Sequence, residues 1–395
     1  VNQVKLAPGV YSVGSVDWNL RDFHGYTTPG GVTYNAYLIV DEKICLIDTV
    51  KAPYAAELIE RISEIVNIAD IDYVVTNHVE PDHSGSLPEI MKLATKAKII
   101  LTAQGKAEVL KHYQTEYNFQ VVKQGDVLDL GKNKLHFVPL PMLHWPDSMA
   151  SYLDGEKILF SNDAFGQHYC SSKLFDDEND IATVLYEASK YYANILMPYS
   201  KLVGRAVEAV RSLDIKLIAP SHGVVWRTHQ AEILANYEKW GKGHTENKVV
   251  IIYDTMWGAT DSMARQILDG IASTGVTVKL YRTATSERSD MARDILEAKG
   301  VLIGSSTLNN SVIPLVGSML IYLKGLNPLG KRLAGAFGTY GWAGGAQSDI
   351  EDLLKKTQFD LHDSSLFIKW KADKSELQKC FDYGVAFGKK ILAEY

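Results

Sequence analysis

A chain of 395 residues, 46% hydrophobic and 22% charged, is long enough for two ordinary domains and has the balance of a globular protein. Its formal net charge of -6 favours neither nucleic acid nor an anionic membrane surface as a partner. No stretch approaches the roughly 20 apolar residues that a spanning helix needs, which excludes helical membrane insertion.

The first five residues, Val1 to Lys5, lack the apolar core of a signal peptide. Three scattered cysteines, Cys45, Cys170 and Cys380, make neither a C-x-x-C pair nor an even disulfide framework. Both features predict a cytoplasmic protein without cysteine-ligated clusters, and the missing C-x-x-C excludes a fused rubredoxin module.

In chain order, short apolar runs predict strands over 10–16, 33–40, 43–48, 71–76, 97–102 and 134–138. Helical spacing marks 54–65, 87–94, 182–195 and 203–213. This irregular, strand-dense half suits a sheet sandwich covered by helices. A closing helix is expected over 230–240. The polar, glycine-bearing run Gly241-Lys242-Gly243-His244-Thr245-Glu246-Asn247 then marks the domain boundary, giving domains 1–246 and 247–395.

After the boundary the pattern becomes regular. Strands over 248–253, 276–281, 301–304, 333–337 and 366–371 alternate with helices over 261–273, 290–298, 315–323, 346–356 and 375–394. Five β-α units of this kind predict a doubly wound parallel sheet.

The chemistry concentrates in His78-Val79-Glu80-Pro81-Asp82-His83, just past the strand at 71–76. Four potential ligands in six residues cannot share one face of a regular element, but they converge if the chain turns at the strand end. Three further candidates follow. His144 lies in Pro141-Met142-Leu143-His144-Trp145-Pro146-Asp147, Asp163 follows a strand at 157–161, and His222 follows 217–221. The H-x-E-x-D-H run resembles the H-x-H-x-D-H signature of the metallo-β-lactamase fold, with Glu80 in place of a histidine. An oxygen-rich mixed set suits iron or manganese better than zinc. Asp48, at the end of an apolar strand, either orients ligands or caps a turn.

In the second half, Asp254-Thr255-Met256-Trp257-Gly258-Ala259-Thr260 joins the first strand to its helix. Helix N-termini favour phosphate, Gly258 permits close backbone approach, and Thr255 and Thr260 add hydroxyl donors. The loop resembles the flavodoxin phosphate loop T-x-T-G-x-T, with Trp257 at the middle threonine; a neutral strand-helix turn is the alternative. Thr307-Leu308-Asn309-Asn310 and Tyr340-Gly341-Trp342-Ala343-Gly344-Gly345 end the third and fourth strands on the same edge. Their glycines let the backbone reach a planar ring, and Tyr340 and Trp342 can pack against it. FMN is the expected cofactor; NAD is disfavoured because no G-x-G-x-x-G follows the first strand.

Together these features resemble the flavodiiron proteins (A-type flavoproteins). The resemblance runs over essentially the whole chain. It includes Val16-Asp17-Trp18-Asn19, Asp22-Phe23-His24-Gly25-Tyr26, Thr33-Tyr34-Asn35-Ala36-Tyr37-Leu38, the run from Met142 to Met149, and Tyr191-Tyr192-Ala193-Asn194. It implies a metallo-β-lactamase-like αββα sandwich followed by a flavodoxin-like doubly wound parallel sheet, in the minimal two-domain form. It also implies one iron on His78, Glu80 and His144, a second on Asp82, His83 and His222, and Asp163 bridging them. Two ferrous ions, three carboxylates and one hydroxide would give a near-neutral cluster, which a buried pocket tolerates.

His24 and Tyr192 are candidates to donate a proton or to hydrogen-bond a substrate; plain packing is the alternative for each. The activity implied is reduction of dioxygen to water, or of nitric oxide to nitrous oxide and water. Two metals about 3.5–4 Å apart can hold both ends of a diatomic ligand. FMN would relay electrons from an external donor, a rubredoxin-type protein or reduced deazaflavin. A head-to-tail homodimer, or a dimer of such dimers, would bring each flavin to the partner's irons. Two other classes stay open. One is a metal-dependent hydrolase with an attached electron-transfer domain, because this fold also hosts hydrolytic sites. The other is a non-catalytic redox or gas sensor.

Overall fold

The computed structural model describes residues 4–395; Val1, Asn2 and Gln3, the start of the segment read against a signal peptide, lie outside the described residues. The chain divides into two compact units. One runs up to Tyr191 and includes Lys201–Glu238; the other comprises Tyr192–Ser200 and Lys239–Tyr395. The sequence boundary at 246/247 therefore lies beyond the structural one. The end of the helix Gln230–Gly241 explains the difference. Lys239 Nζ pairs with Glu246 and Glu297, and Trp240 Nε1 donates to Glu297 Oε1 at 3.0 Å, which ties the last turn into the second unit.

The first unit is built on two sheets. One orders Val4–Ala7, Val10–Ser12, Tyr37–Val40, Ile44–Ile47, Ile71–Val75, Lys98–Leu101 and Phe119–Val121; its first four strands pair antiparallel and the rest in parallel. The other orders Val127–Asp129, Lys134–Pro139, Met149–Leu153, Ile158–Asn162 and Leu217–Pro220. Period-two alternation sends successive residues to opposite faces. Cys45, Ile47, Val75 and Ile100 thus meet Phe137, Met149, Leu153 and Phe160 between the sheets. Leu46, Val74 and Ile99 face the other way, onto helix residues Leu58, Ile62, Leu87, Ile90 and Val109. The layers are those of a helix-covered sandwich.

The second unit has a parallel sheet in the order Thr277–Arg282, Glu246–Asp254, Ala298–Leu308, Leu333–Tyr340, Leu366–Lys369. This is the 2-1-3-4-5 order of a flavodoxin-like sheet, whose switch point lies between the first and third strands. Val249, Ile251 and Leu302 pack under the helices Ala259–Ala272 and Lys374–Glu394, while Val250, Ile252 and Ile303 pack under the helices on the opposite face. No helix among the described residues is long and apolar enough to cross a membrane.

Candidate metal centre and cofactor cavity

Every ligand candidate sits where a regular element stops. His78 follows Ile71–Val75, Asp163 follows Ile158–Asn162 and His222 follows Leu217–Pro220. His144 comes from the loop between Lys134–Pro139 and Met149–Leu153. Pro81, fixed at the helical φ, opens a four-residue turn of helix with Glu80 as its N-cap. That turn reverses the chain at once, so Asp82 and His83 point back toward the strand end. Asp48, Met142 and Asn162 around it all hold positive φ, at 55°, 67° and 54°. Such strain persists only where the surroundings over-determine it, and it collects at functional sites.

The donor atoms form two groups, His78, Glu80, His144 and Asp163, and Asp82, His83 and His222; within each, the atoms lie within 4.8 Å of one another. Asp163 joins them. Its Oδ2 is 3.1 Å from His144 Nε2 and 3.7 Å from His78 Nε2, and its Oδ1 is 3.0 Å from His83 Nε2 and 3.5 Å from His222 Nε2. Glu80 Oε2 completes the first group at 3.1 Å from His144 Nε2 and 3.3 Å from His78 Nε2. Asp82 completes the second, with Oδ1 3.5 Å from His83 Nε2 and Oδ2 3.3 Å from His222 Nε2. For metal bonds of about 2.1 Å, adjacent ligand atoms lie about 3.0 Å apart octahedrally and about 3.4 Å apart tetrahedrally. The separations are those of coordination polyhedra.

The electrostatics agree. Glu80, Asp82 and Asp163 are all buried, and both oxygens of Asp82 and of Asp163 lack hydrogen-bond partners. Three buried carboxylates need compensating positive charge. Without metal they draw it from protons. Burial would lower the histidines, yet Asp82 and Asp163 lift His83 to about 9, and the Asp163 and Glu80 carboxylates close to it lift His144 to about 9. Burial works to raise Asp163, but His83 and His144 hold it well below the usual carboxylate range. Two metal cations would take the place of those protons. The residues fit two ions.

The ring tautomers are set from behind. His78 Nδ1 donates to Asp147 Oδ1 at 2.9 Å, and His222 Nδ1 donates to the Thr33 carbonyl at 2.6 Å. Both leave Nε2 as the free lone pair facing the centre. Asp147 also accepts from the Val79 amide at 2.7 Å. Asp48 accepts from the Asn77 backbone amide at 2.7 Å and from the Asn77 side chain at 3.2 Å, fixing the residue before His78. Burial pushes the Asp48 carboxyl up to about 6, against the opposing influence of His83.

In the second unit the loops at the carboxyl ends of the strands enclose a cavity of about 660 Å³. Met256, Trp257 and Ala259 line it from the first loop, Thr307 to Asn310 from the third, and Tyr340 to Ala343 from the fourth. The size is within the roughly 300–1,000 Å³ of small-molecule and cofactor sites. Gly258 has φ +80° and starts the helix Ala259–Ala272, whose first amides lie at this edge. Asn309 and Asn310, both at positive φ, form the tight turn between Ala298–Leu308 and Ser311–Val312. A Cβ on Gly345 would lie 1.8 Å from the Asn310 carbonyl oxygen, so only glycine lets these two loops meet. Trp257 and Trp342 are 95% and 93% exposed, an unusual state for large apolar rings and one suited to covering a planar ligand. The cradle fits FMN.

Known proteins are consistent with both halves. A family model described as ODP family beta lactamase matches residues 32–223, and one described as Flavodoxin matches residues 251–384. A nitric oxide reductase of Moorella thermoacetica is 43% identical over 98% of this chain and 98% of its own. Among solved structures, the flavodiiron protein of Giardia intestinalis superposes with TM-score 0.97 at 38% identity, covering 100% of this chain and 97% of that one. The rubredoxin:oxygen oxidoreductase of Desulfovibrio gigas superposes with TM-score 0.96 at 37% identity, covering 99% and 100%. The chain belongs to the flavodiiron protein family. The two-domain α/β architecture expected from the sequence is the one found.

Within this flavodiiron chain, the structure gathers His78, Glu80, Asp82, His83, His144, Asp163 and His222 into one cluster. His24 lies at its edge. Its Nε2 is 3.3 Å from Glu80 Oε1, the oxygen turned away from the other ligands, and its side chain is 74% exposed. Tyr192 belongs to the second unit. Its hydroxyl donates to Ser200 Oγ at 3.0 Å and its ring packs on Trp240. Tyr191 packs on the cluster, its ring 4.9 Å from His168 and 6.0 Å from His222, and Tyr34 lies 6.2 Å from His222. The helix Ile181–Tyr191 passes into a π-turn at Tyr192–Leu196, which shifts the phase that a continuous helix over 182–195 assumes.

Sequence reasoning also missed His168. It is fully buried among Phe23, Tyr26, Tyr191 and His222, and burial together with His222 holds it well below the usual histidine range.

Of the cofactor residues expected from sequence, Thr255, Gly258, Thr260, Gly344 and Gly345 do not line the cavity. Thr255 Oγ1 accepts from the Gly258 amide at 3.1 Å and shapes the loop. The Thr260 hydroxyl is buried between Ser306 Oγ at 2.9 Å and Thr339 Oγ1 at 3.0 Å, where it joins the start of its helix to two strand ends. Trp370 and Lys371, just past Leu366–Lys369, line the cavity and were not anticipated; their place after the fifth strand was the available signal.

Proposed function

We propose that this flavodiiron protein is an oxidoreductase that reduces dioxygen to water, nitric oxide to nitrous oxide, or both, at a non-haem diiron centre fed through FMN. The observation that carries the reading is Asp163, whose two oxygens each face a separate histidine-carboxylate group. On this reading His78, Glu80 and His144 hold one iron, Asp82, His83 and His222 hold the other, and Asp163 is common to both. The second unit holds FMN in the cavity between Trp257, Asn309, Tyr340 and Trp342. Residues 1–246 and 247–395 are taken as the metal-binding and flavin-binding stretches.

Bound iron and FMN would supply electrons to a small oxidant, while the protein supplies position and potential. The chain's own residues have defined tasks. Asp147 and the Thr33 carbonyl keep protons on Nδ1 of His78 and His222, so that Nε2 stays free. Asp48 anchors Asn77 and thereby the turn that carries four ligands. His24 stands between solvent and Glu80 Oε1, where a proton held at Nε2 can reach the centre from outside. Its exposure distinguishes it from the ligand histidines, of which His78, His83 and His222 are buried and His144 partly so.

The same reading extends to partners. Electrons come from an external donor, a rubredoxin-type protein or reduced deazaflavin. The working unit is a head-to-tail homodimer in which each flavin serves the partner's irons, and the site of action is the cytoplasm. The test is anaerobic stopped-flow on reduced, metal-analysed protein, mixed separately with dioxygen and nitric oxide while flavin absorbance and products are followed. Rapid flavin reoxidation by either gas, with water or nitrous oxide as product, is the expected result. Inertness toward both, in protein carrying two irons per chain, would overturn it.

A further inference from the structure

The last strand of the second sheet ends in a tryptophan that the core does not use. Period-two alternation along Leu366–Lys369 puts Leu366 and Ile368 on the face packed under the helices Ala259–Ala272 and Lys374–Glu394, and Ala372 rejoins that core. An extended chain would send Trp370 to the same face. Instead Trp370 holds φ 60°, which breaks the alternation, and the side chain stands 65% exposed in the wall of the 660 Å³ cavity.

The position is built rather than incidental. A positive φ is rare for a bulky side chain. The other non-glycine residues with positive φ in the second unit are Asn309, Asn310 and Asn327, a type that tolerates it. The Trp370 amide donates to the Tyr340 carbonyl at 2.7 Å, which ties the fifth loop to the fourth. The indole then lies along Gly341, where a built Cβ would be 3.6 Å from Nε1 and 3.9 Å from Cδ1. Lys369 Nζ adds a hold, 4.6 Å from the ring centroid.

Place in the sheet says which part of a ligand this ring meets. The helix start that favours a phosphate follows Glu246–Asp254. Leu366–Lys369 lies three strands away, about 14 Å at the usual strand spacing. Trp370 therefore faces the end of the ligand remote from the phosphate. In FMN that end is the isoalloxazine ring.

We propose that Trp370 is a flavin-binding residue: the loop after the fifth strand presents an indole that packs against the isoalloxazine ring and closes the cavity beside Tyr340 and Gly341. The inference rests on the FMN reading of the cavity. It gives the left-handed backbone a purpose, since that conformation is what turns the ring away from the core and toward the ligand.

The experiment compares wild type, Trp370→Gly and Trp370→Phe in the full chain, freed of flavin. Denaturant unfolding reads the backbone, and fluorescence titration with FMN and separately with riboflavin reads the ring contact. Glycine takes the left-handed conformation without strain. Flavin-free Trp370→Gly should therefore unfold at the same or a higher denaturant concentration than wild type. Its dissociation constant for FMN should rise about tenfold, the scale of one lost aromatic contact and the area it covers. Riboflavin, which has the ring and no phosphate, should weaken by the same factor. Trp370→Phe, which keeps an aromatic face, should stay within about threefold of wild type for both. Unchanged FMN affinity in Trp370→Gly, or a loss for FMN that riboflavin does not share, would overturn the proposal. So would a flavin-free Trp370→Gly clearly less stable than wild type, which would assign the ring to the fold. Wild type that binds neither flavin would overturn the FMN reading itself.

Discussion

Asp147→Asn offers the sharpest test of how the centre is held. The carboxylate accepts from two buried N–H groups, His78 Nδ1 at 2.9 Å and the Val79 amide at 2.7 Å. An asparagine has one acceptor oxygen, so its amide nitrogen must face one of those donors. If it faces Val79, a buried backbone N–H is orphaned at a cost of about 1–3 kcal/mol, with or without metal. If it faces His78, the imidazole escapes by moving its proton to Nε2, the nitrogen turned toward Glu80 and Asp163. That tautomer cannot bind a metal and must be reversed on loading. Losing such a partner typically costs about 10–100-fold in metal affinity, or about 1.4–2.8 kcal/mol at 1.4 kcal/mol per tenfold. The loss should fall mainly on the ion held by His78, Glu80 and His144. The other group draws its tautomer control from Thr33, which the substitution leaves alone. Competition with a chelator, followed by iron content and resolved into two sites, makes the measurement. Equal weakening of both sites, or of neither, would refute the argument.

Two other outcomes follow from the second unit. A Gly345→Ala chain should fold but bind FMN at least tenfold more weakly in a fluorescence titration, since the new methyl collides with the Asn310 carbonyl and must spread two loops of the cradle. Asp294 is buried and bonds Lys248, Arg293 and Tyr281; against burial, which raises it, Lys248 and Tyr281 keep its carboxyl below the usual value. A folded-state value below the unfolded one, about 3.9, gives stability that is present above that pH and lost as pH falls through the folded value. Denaturant unfolding should therefore show a steeper acid loss of stability for wild type than for Asp294→Asn, which starts lower at neutral pH; parallel curves would contradict the sign.

The sequence made the ligand set legible for a physical reason. Ligands confined to a chain reversal leave a dense local run, and the three distant ones sit at strand ends or in a short marked loop. The flavodoxin-like sheet was legible because its strands and helices alternate without interruption. What escaped notice lacks any such periodic trace. Asp147 was visible only as the end of Pro141-Met142-Leu143-His144-Trp145-Pro146-Asp147, and nothing in that spacing says it reaches His78. The helix Ala103–Tyr113 was not anticipated, because only Gly105 and Val109 are buried in it and charged or polar residues dominate the remainder. The π-turn after Tyr191 leaves no pattern in composition and so does not show in the sequence. Thr260 shows a different limit. A hydroxyl at a helix start suits a phosphate or another hydroxyl equally well, and nothing in the spacing shows that Ser306 and Thr339 come within reach of it.

Asp163 also bears on the choice between redox and hydrolytic chemistry on this scaffold. A catalytic zinc site needs three protein ligands and one open position, and nitrogen-rich sets serve it well. Here each half of the cluster carries a carboxylate of its own, Glu80 or Asp82, and both share a third. Hard anionic oxygen on both ions stabilises the higher charge of an oxidised metal and holds the pair close to neutral through a change of redox state. A hydrolytic site gains nothing from that capacity. The flavin-sized cavity in the same chain supplies the reason to have it, since a carrier of electrons is useful only to a centre that can take them up. The discriminating quantity is therefore metal identity under competition. Metal-free protein offered equal iron and zinc anaerobically should, once oxidised, retain iron in both positions, and stable loading with zinc alone would return the argument to the hydrolase.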